Sequence, residues 1–159
     1  MTAFTIHPIA NADRPATLAF ISEHWGLPVV SRGIAHPAHE YPGFIAWKSG
    51  RIAGLITYHI AGDQCEITTL DSIMEGLGIG TALIHQVSEV ARAAGSRRLW
   101  LITTNDNVNA LRFYQKRHFE LVAVHRRAIE QSRQIKPSIP LLGFDDIPIR
   151  DEIELEIRL

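Results

Sequence analysis

The chain has 159 residues, 46% hydrophobic and 21% charged, as is typical of a globular domain with its own core. Its net charge of −1, from 16 basic and 17 acidic residues, argues against a nucleic-acid-binding surface. Cys65 is the only cysteine, which excludes an internal disulfide and a multi-cysteine metal site. No signal-like segment opens the chain and no apolar run approaches membrane-spanning length. We therefore expect one cytoplasmic domain over residues 1–159, with no membrane partner.

The first elements are predicted to be a short strand and a helix. Residues 4–8 predict the strand, and Asp13 followed by Pro15 favours a helix start. Apolar side chains then recur at helical spacing and predict the buried stripe of this helix: Leu18, Ile21 and Trp25. Residues 26–42 contain three prolines and two glycines, so we expect a loop or a broken helix there.

Three strands are predicted next, in an antiparallel meander joined by tight turns: residues 44–47, 51–60 and 64–71. A helix with a periodic apolar face follows and ends at Gly95. Residues 99–102 are apolar at every position, which predicts a central strand that is parallel to the strand before the helix.

The remaining elements are a helix over residues 107–117, a strand over 119–125, an irregular proline-containing tail and a last strand over 152–159. In the last strand Ile and Leu alternate with Glu and Arg, which predicts one solvent-facing side. Such a strand at a sheet edge would favour a homodimer. The predicted fold class is α+β, with a mixed, mostly antiparallel sheet flanked by helices.

A glycine-rich loop precedes the central helix: Glu75, Gly76, Leu77, Gly78, Ile79, Gly80 and Thr81. Three alternating glycines leave backbone N–H groups uncovered where a helix begins, and the helix dipole favours an anion such as a phosphate at that point. The loop lacks the lysine of a Walker motif, and its glycine spacing does not fit a dinucleotide fingerprint. A glycine-rich turn without a ligand is the remaining alternative.

A second pattern follows, Asn107-Val108-Asn109-Ala110-Leu111-Arg112-Phe113-Tyr114, and then the pair His118-Phe119. Together the two patterns resemble the GNAT superfamily of acyl-CoA-dependent N-acyltransferases, over residues 4–125 in element order. Two positions depart from the family pattern. Glu75 replaces a Gln or Arg beside the expected phosphates, where Arg112, Lys116 or Arg117 would compensate its charge. His118 replaces a Gly.

The resemblance implies that acetyl-CoA binds, without a metal, in a cleft between two splayed strands. The backbone near Thr69 and Leu70 would hold the pantetheine arm, and N–H groups from Gly76 to Thr81 the pyrophosphate. Asn107 would cap its helix and lie near the cofactor arm. Tyr114 would hydrogen-bond the departing thiolate, as a general acid.

The direct attack of an amine on a thioester also requires a base, because a free alkyl amine with a pKa of about 10 is mostly protonated at neutral pH. Glu66, on the strand before the glycine loop, is our first candidate and Asp71 the second; an exposed strand carboxylate is the plain alternative for Glu66. The family shapes its acceptor pocket from early loops, where Arg32 and His36 are candidate substrate residues. His36, His39 and Glu40 superficially resemble a metal triplet, but their spacing does not match a structural zinc pattern.

The implied function is N-acetyltransfer from acetyl-CoA to the primary amine of a small-molecule or amino-acid-like acceptor. Two alternatives stay open at this point. One is a binding module that senses acyl-CoA without turnover, and the other is an enzyme that acetylates a protein or peptide amine.

Overall fold

The computed structural model describes residues 3–159, which form a seven-stranded sheet, a separate hairpin and four α-helices. The strands, in chain order, are β1 (Thr5–Pro8), β2 (Val29–Ser31), β3 (Ile34–His36), β4 (Gly43–Lys48), β5 (Arg51–Ala61), β6 (Gln64–Ser72), β7 (Arg98–Thr104), β8 (Glu120–His125) and β9 (Glu152–Arg158). The helices are α1 (Arg14–His24), α2 (Ile79–Ala93), α3 (Val108–Gln115) and α4 (Ala128–Ile135).

The sheet order is β1-β4-β5-β6-β7-β9-β8, and β2 pairs with β3 in the hairpin. Of the paired neighbours in the described residues, β6 and β7 alone are parallel, with α2 as the connection between them. The predicted α+β fold class, with a mixed and mostly antiparallel sheet, is therefore confirmed.

Each face of the sheet carries its own hydrophobic cluster because neighbouring strand residues point to opposite faces. Ala46 and Ile56 belong to the larger cluster under α2 and α3, whereas their neighbours Ile45 and Leu55 belong to the cluster under α1. The predicted apolar face of α2 is buried in the larger cluster: Ile79, Leu83, Ile84, Val87 and Ala91. No helix within residues 3–159 is both long enough and apolar enough to span a membrane.

Helix α1 buries a different stripe from the predicted one. Leu18 is 40% exposed and Trp25 is 38% exposed, while Thr17, Phe20 and Ile21 are buried. The apolar residues of this short helix lie all around it, so their spacing alone did not select the face that meets the sheet.

The prediction of a loop or broken helix for residues 26–42 is wrong, because this segment contains the β2–β3 hairpin and a 3-10 turn at Ala38–Glu40. The turn of the hairpin places Arg32 and Gly33 at φ values of 52° and 73°. Strands of three residues are too short for a visible alternation, so the prolines and glycines dominated the pattern. Helix α4 also falls in a stretch for which we predicted no element.

The last strand, β9, lies between β7 and β8 and not at a sheet edge. Its glutamate face is also not solvent-exposed, since Glu152 is 2% and Glu154 is 9% exposed. Alternation reveals that a strand has two different faces, but not what covers the polar one. Here Arg98, His125 and the hairpin lie against it. A homodimer stays a prediction, without support from this strand.

Candidate active site

The parallel strands β6 and β7 separate at their carboxyl ends. Their pairing runs from Gln64 opposite Arg98 to Ile67 opposite Leu101, and no further pair joins them within residues 3–159. Strand β6 nevertheless continues beside β5 as far as Ser72, and β7 continues beside β9. The backbone edges that face each other beyond this point are therefore unpaired, as expected for a splayed pair.

A β-bulge lies where the splay begins. Thr57 of β5 is opposite Thr69, and Tyr58 is opposite Ile67, so Thr68 is the extra residue on β6. The Thr57 hydroxyl oxygen lies 2.7 Å from the hydroxyl oxygens of both Thr68 and Thr69. A bulge bends and twists its strand, and this one lies directly after the last residue of β6 that pairs with β7.

A cavity of about 880 Å³ opens at the splayed end, between β6, the glycine loop and α3. It collects most of the residues predicted to bind the cofactor: Leu70, Glu75, Gly76, Gly78, Ile79, Gly80, Thr81, Asn107 and Tyr114. Thr69 does not line it, because its buried side chain is bonded to Thr57. Leu77 does not line it either and packs against the larger core cluster.

The glycine loop leads directly into the first turn of α2. Gly76 and Gly78 have φ values of 78° and 75°, a conformation that side chains disfavour. A Cβ atom on Gly80 would lie 2.9 Å from Cζ of Phe113, so this glycine permits α2 and α3 to approach. The N–H groups of Ile79, Gly80 and Thr81 have no partner inside the helix, and all three residues line the cavity.

Helix α3 is capped at its start by Asn107, and Arg117, just beyond its end, binds the first turn of α2. The Asn107 side-chain oxygen accepts a hydrogen bond from the Ala110 N–H at 3.1 Å, which is the predicted cap. Arg117 donates from Nε to the Thr81 hydroxyl at 2.7 Å, and its guanidinium lies over the Phe113 ring. The wall of the cavity that faces the loop is therefore braced against α2.

The charges around the cavity show whether the negative charge of Glu75, which departs from the family pattern, is compensated. Glu75 is exposed there, and Asp71 is the other acidic residue of the lining. Arg112, Lys116 and Arg117 also line the cavity. Three cations against two carboxylates leave the lining net positive.

Tyr114 is placed by the way in which α3 ends. The Phe119 N–H donates to the Tyr114 carbonyl at 3.1 Å and the His118 N–H to the Gln115 carbonyl at 3.0 Å, with His118 at a φ of 71°. This is a Schellman motif with the Tyr114–Phe119 contact that usually accompanies it. The Tyr114 side chain is buried at the cavity wall. Burial, and then the nearby Asp71 carboxylate, raises its pKa above the usual tyrosine value, so the phenol keeps its proton.

Glu66 lies two residues before the bulge, on the sheet face opposite α2. Its neighbours Cys65 and Ile67 belong to the core under that helix, so the Glu66 side chain points to the hairpin. It is 6% exposed, and Ser31 Oγ donates to its Oε2 at 2.8 Å. Burial raises the Glu66 pKa to about 7. That value already includes the smaller effects: the Ser31 hydrogen bond and Arg98 lower the pKa, and the carboxylates of Glu152 and Glu154 raise it.

His36 lies next to Glu66, and Tyr41 lies next to His36. His36 Nε2 lies 3.8 Å from Glu66 Oε2, and His36 Nδ1 lies 2.9 Å from the Tyr41 hydroxyl. Burial, and then the charge of His59, lowers the His36 pKa, so this imidazole is neutral at pH 7. The Tyr41 ring stacks on His59 with centroids 4.9 Å apart.

The strand β9 glutamates complete this polar face. Glu152 accepts the backbone N–H of Arg32 with both oxygens, at 3.3 and 3.2 Å. Arg98 binds Glu154 at 2.7 Å and Glu156 at 2.9 Å. Neither Ser31 nor Tyr41 carried a sequence signal. The three glutamates at every second position of β9 were visible in the sequence, but their alternation with apolar residues predicted a solvent-facing side.

The other predicted residues lie elsewhere. The carboxylate of Asp71, the second base candidate, accepts the Trp25 Nε1–H, and it lines the cavity, apart from the Glu66 cluster. The Arg32 side chain is exposed. His39 pairs with Glu40 at 3.7 Å, away from His36, and no group of three or more potential ligands is arranged for a metal within residues 3–159.

Known proteins share both the sequence pattern and the fold of this chain. The profile of the "Acetyltransferase (GNAT) family" matches residues 8–119. The "Uncharacterized protein YdhI" of Bacillus subtilis (strain 168) is 51% identical over 137 residues, which cover 84% of this chain and 85% of that protein.

Solved structures share the fold as well, and two of them serve as examples. The "IAA acetyltransferase from Bacillus cereus ATCC 14579" has a TM-score of 0.74 at 21% identity, covering 99% of this chain and 100% of that one. A GNAT family acetyltransferase from Elizabethkingia anophelis with acetyl-CoA bound also has a TM-score of 0.74, at 18% identity and with 100% of both chains covered. The family profile spans well over half of the sequence, and the chain belongs to the acetyltransferase (GNAT) family.

Proposed function

We propose that this protein transfers the acetyl group of acetyl-CoA to the primary amine of a small acceptor. The observation that carries the proposal is the splayed β6–β7 pair with a glycine-rich helix start at its open end. Acetyl-CoA supplies an activated thioester, and the residues around the splay fit it in shape and charge.

The cofactor fit rests on three features of the cavity. The unpaired edge of β6 beyond Ile67 offers backbone groups to the amides of a pantetheine arm, as in strand addition. The free N–H groups of Ile79, Gly80 and Thr81 suit a pyrophosphate. The positive balance of the lining supports the same ligand, so Glu75 is expected to weaken binding and not to abolish it.

Glu66 is the proposed base. A carboxylate with a pKa of about 7 is half ionised at neutral pH and accepts a proton more readily than an ordinary glutamate. It would take a proton from the acceptor's ammonium group, so that the neutral nitrogen attacks the thioester carbon. This attack forms the carbon–nitrogen bond and a tetrahedral oxyanion, which collapses as the carbon–sulfur bond breaks. CoA leaves as its thiolate, the nitrogen gives its further proton to solvent, and the thiolate takes up a proton from solvent.

Tyr114 is the proposed donor to the departing sulfur. Its raised pKa lies above that of a thiol, about 8.5, so complete proton transfer from the phenol to a thiolate is unfavourable. A hydrogen bond from the Tyr114 hydroxyl nevertheless stabilises the charge that develops on sulfur. This makes Tyr114 a hydrogen-bond donor in the transition state, a narrower role than the general acid expected from the family pattern.

A small acceptor is favoured over a peptide by the cover on Glu66. The hairpin leaves Glu66 buried, with its side chain 8% exposed, whereas a peptide acceptor needs an open groove beside the base. Arg32, at the exposed hairpin turn, is the proposed contact for an acceptor's carboxylate where it has one.

The test combines binding with turnover. Calorimetry with acetyl-CoA, and with NAD as the control ligand, should give binding for acetyl-CoA alone. A panel of small amines and amino acids is then assayed by the release of the free thiol of CoA. Binding of acetyl-CoA without turnover of any amine would favour the acyl-CoA sensor, and failure of acetyl-CoA to bind at millimolar concentration would refute the proposal.

The variant Tyr114→Phe tests the chemical step. Loss of one donor to the developing charge should lower kcat by about 10²-fold, while the dissociation constant for acetyl-CoA changes little. Tyr58→Phe, a buried tyrosine in the same core cluster, is the matched control. Unchanged turnover in Tyr114→Phe would show that its hydroxyl does not assist the leaving group.

A further inference from the structure

Glu66, His36 and Tyr41 form a chain of three polar side chains on the covered face of the sheet. We infer that Tyr41 and His36 are positioning residues for Glu66: the Tyr41 hydroxyl fixes the tautomer of His36, whose Nε2–H then faces the Glu66 carboxylate. The catalytic role of this arrangement rests on the proposed function, whereas its geometry is independent of that function.

The tautomer follows from what surrounds the imidazole ring. A neutral imidazole has one N–H and one lone pair, and each His36 nitrogen has a different neighbour. Nε2 lies 3.8 Å from Glu66 Oε2, where a lone pair would face a carboxylate and be repelled, whereas an N–H is attracted. Nδ1 must then be the acceptor, and the Tyr41 hydroxyl at 2.9 Å its donor.

Tyr41 is suited to act as this donor. Burial, and then the charge of Glu66, raises the Tyr41 pKa above the usual tyrosine value, so the phenol is protonated at neutral pH. Its ring is held by stacking on His59 and by an edge-on contact with His36. Its backbone carbonyl accepts a hydrogen bond from Arg14 at 2.6 Å. The hydroxyl is therefore presented to His36 from a fixed position.

His36 Nε2 is the unexplained atom of the cluster. It is buried and has no hydrogen-bond partner within the described residues, and the His36 side chain is 4% exposed. An unsatisfied buried N–H is costly, and a hydrophobic side chain would fill the same space without that cost. An Nε2–H directed at the Glu66 carboxylate explains why a polar atom is buried at this position. We therefore assign His36 to Glu66 and no longer to the acceptor, which was our expectation from the sequence.

The other polar and charged groups around Glu66 differ from His36 in how they act on its carboxylate. Ser31 donates to the same oxygen from β2, Arg98 on β7 is bound to Glu154 and Glu156, and Glu152 and Glu154 oppose ionisation. The exposed His59 adds a positive charge near His36 only when it is protonated. His36 thus adds a second neutral donor, beside Ser31, that favours the ionised base without neutralising its charge as a cation would.

The first measurement is the tautomer itself. Long-range nitrogen–proton NMR spectra of histidine-labelled protein at pH 8 distinguish Nδ1–H from Nε2–H, and His36→Phe identifies the signal among the eight histidines. We expect Nε2–H in the wild type and a shift toward Nδ1–H in Tyr41→Phe, which keeps the ring and its stacking. Tyr58→Phe, which removes a hydroxyl outside the cluster, should leave the signal unchanged.

The second measurement is the titration of Glu66, followed by carboxyl-carbon NMR and assigned with Glu66→Gln. Loss of an N–H directed at the carboxylate should move the midpoint upward by about one pH unit in His36→Phe, and by less in Tyr41→Phe. If His36→Phe does not fold, Tyr41→Phe alone carries the test.

The outcomes separate this inference from the proposed function. An Nδ1–H tautomer in the wild type overturns the inference, as does a Glu66 midpoint that Tyr41→Phe and His36→Phe leave unchanged. The expected shifts in a protein that acetylates no amine would support the side-chain chain and refute the proposed function. Turnover of an amine without these shifts would support the proposed function and refute the positioning role of His36 and Tyr41.

Discussion

The substitution Glu66→Gln tests the proposed base most directly. With a Glu66 pKa of about 7, about half of the carboxylate is ionised at pH 7, about a tenth at pH 6 and about a hundredth at pH 5. For an acceptor that binds as its ammonium form, kcat/KM of the wild type should rise about tenfold per pH unit up to 7 and then level off. The variant depends on amine that is already neutral, about 10⁻³ of the total at pH 7 for an amine pKa of about 10.

These fractions predict the shape of two pH profiles. Glu66→Gln should be slower by about 10²- to 10³-fold at pH 7, and its rate should keep rising toward pH 10, so that the deficit shrinks. The assay is initial-rate thiol release from pH 5 to 9.5, with the exposed Glu23→Gln as the matched control. A wild-type profile that stays flat down to pH 5, or a variant within threefold of the wild type at pH 7, would refute the assignment of Glu66 as the base.

Three further predictions concern stability. Because the pKa of Glu66 in the folded state lies above the ordinary glutamate value of 4.5, the native state holds one more proton than the unfolded chain between pH 4.5 and 7. The free energy of unfolding should therefore fall by about 3 kcal/mol over this range in the wild type relative to Glu66→Gln, and equal pH dependence in urea unfolding would contradict it. Gly80→Ala should destabilise by about 1–3 kcal/mol and weaken acetyl-CoA binding because its methyl meets Phe113; an unchanged melting temperature and affinity would contradict this. His118→Gly should stabilise by about 1 kcal/mol by relieving the φ of 71°, and no gain in urea unfolding would show that the conformation is not strained.

Much of the proposed cofactor site follows from local sequence patterns. The glycine loop, the Asn107 cap and the position of Tyr114 near a helix end are set by residues close together in the chain, and the same residues meet at the cavity. Backbone conformation and helix capping depend on residues close together in the chain, so they can be predicted from the sequence. The parallel β6–β7 pair also followed from the spacing of one strand, one helix and one strand.

The acceptor side depended on contacts between distant segments. Glu66 was a reasonable candidate by position, but its pKa near 7 comes from burial under a hairpin that the sequence did not reveal. Ser31 and Glu152 are 35 and 86 residues away from it, and they meet Glu66 only because β9 inserts beside β7 and the hairpin folds onto the same face.

The sequence by itself therefore determined the fold class, the family and the glycine-rich turn before α2, because periodicity, glycine conformation and capping act within a few residues. Only the tertiary structure decided which face of α1 is buried, where β9 pairs and how Glu66 is desolvated. Burial and electrostatic coupling depend on which segments come together in space, and alternation along a strand does not record its partners.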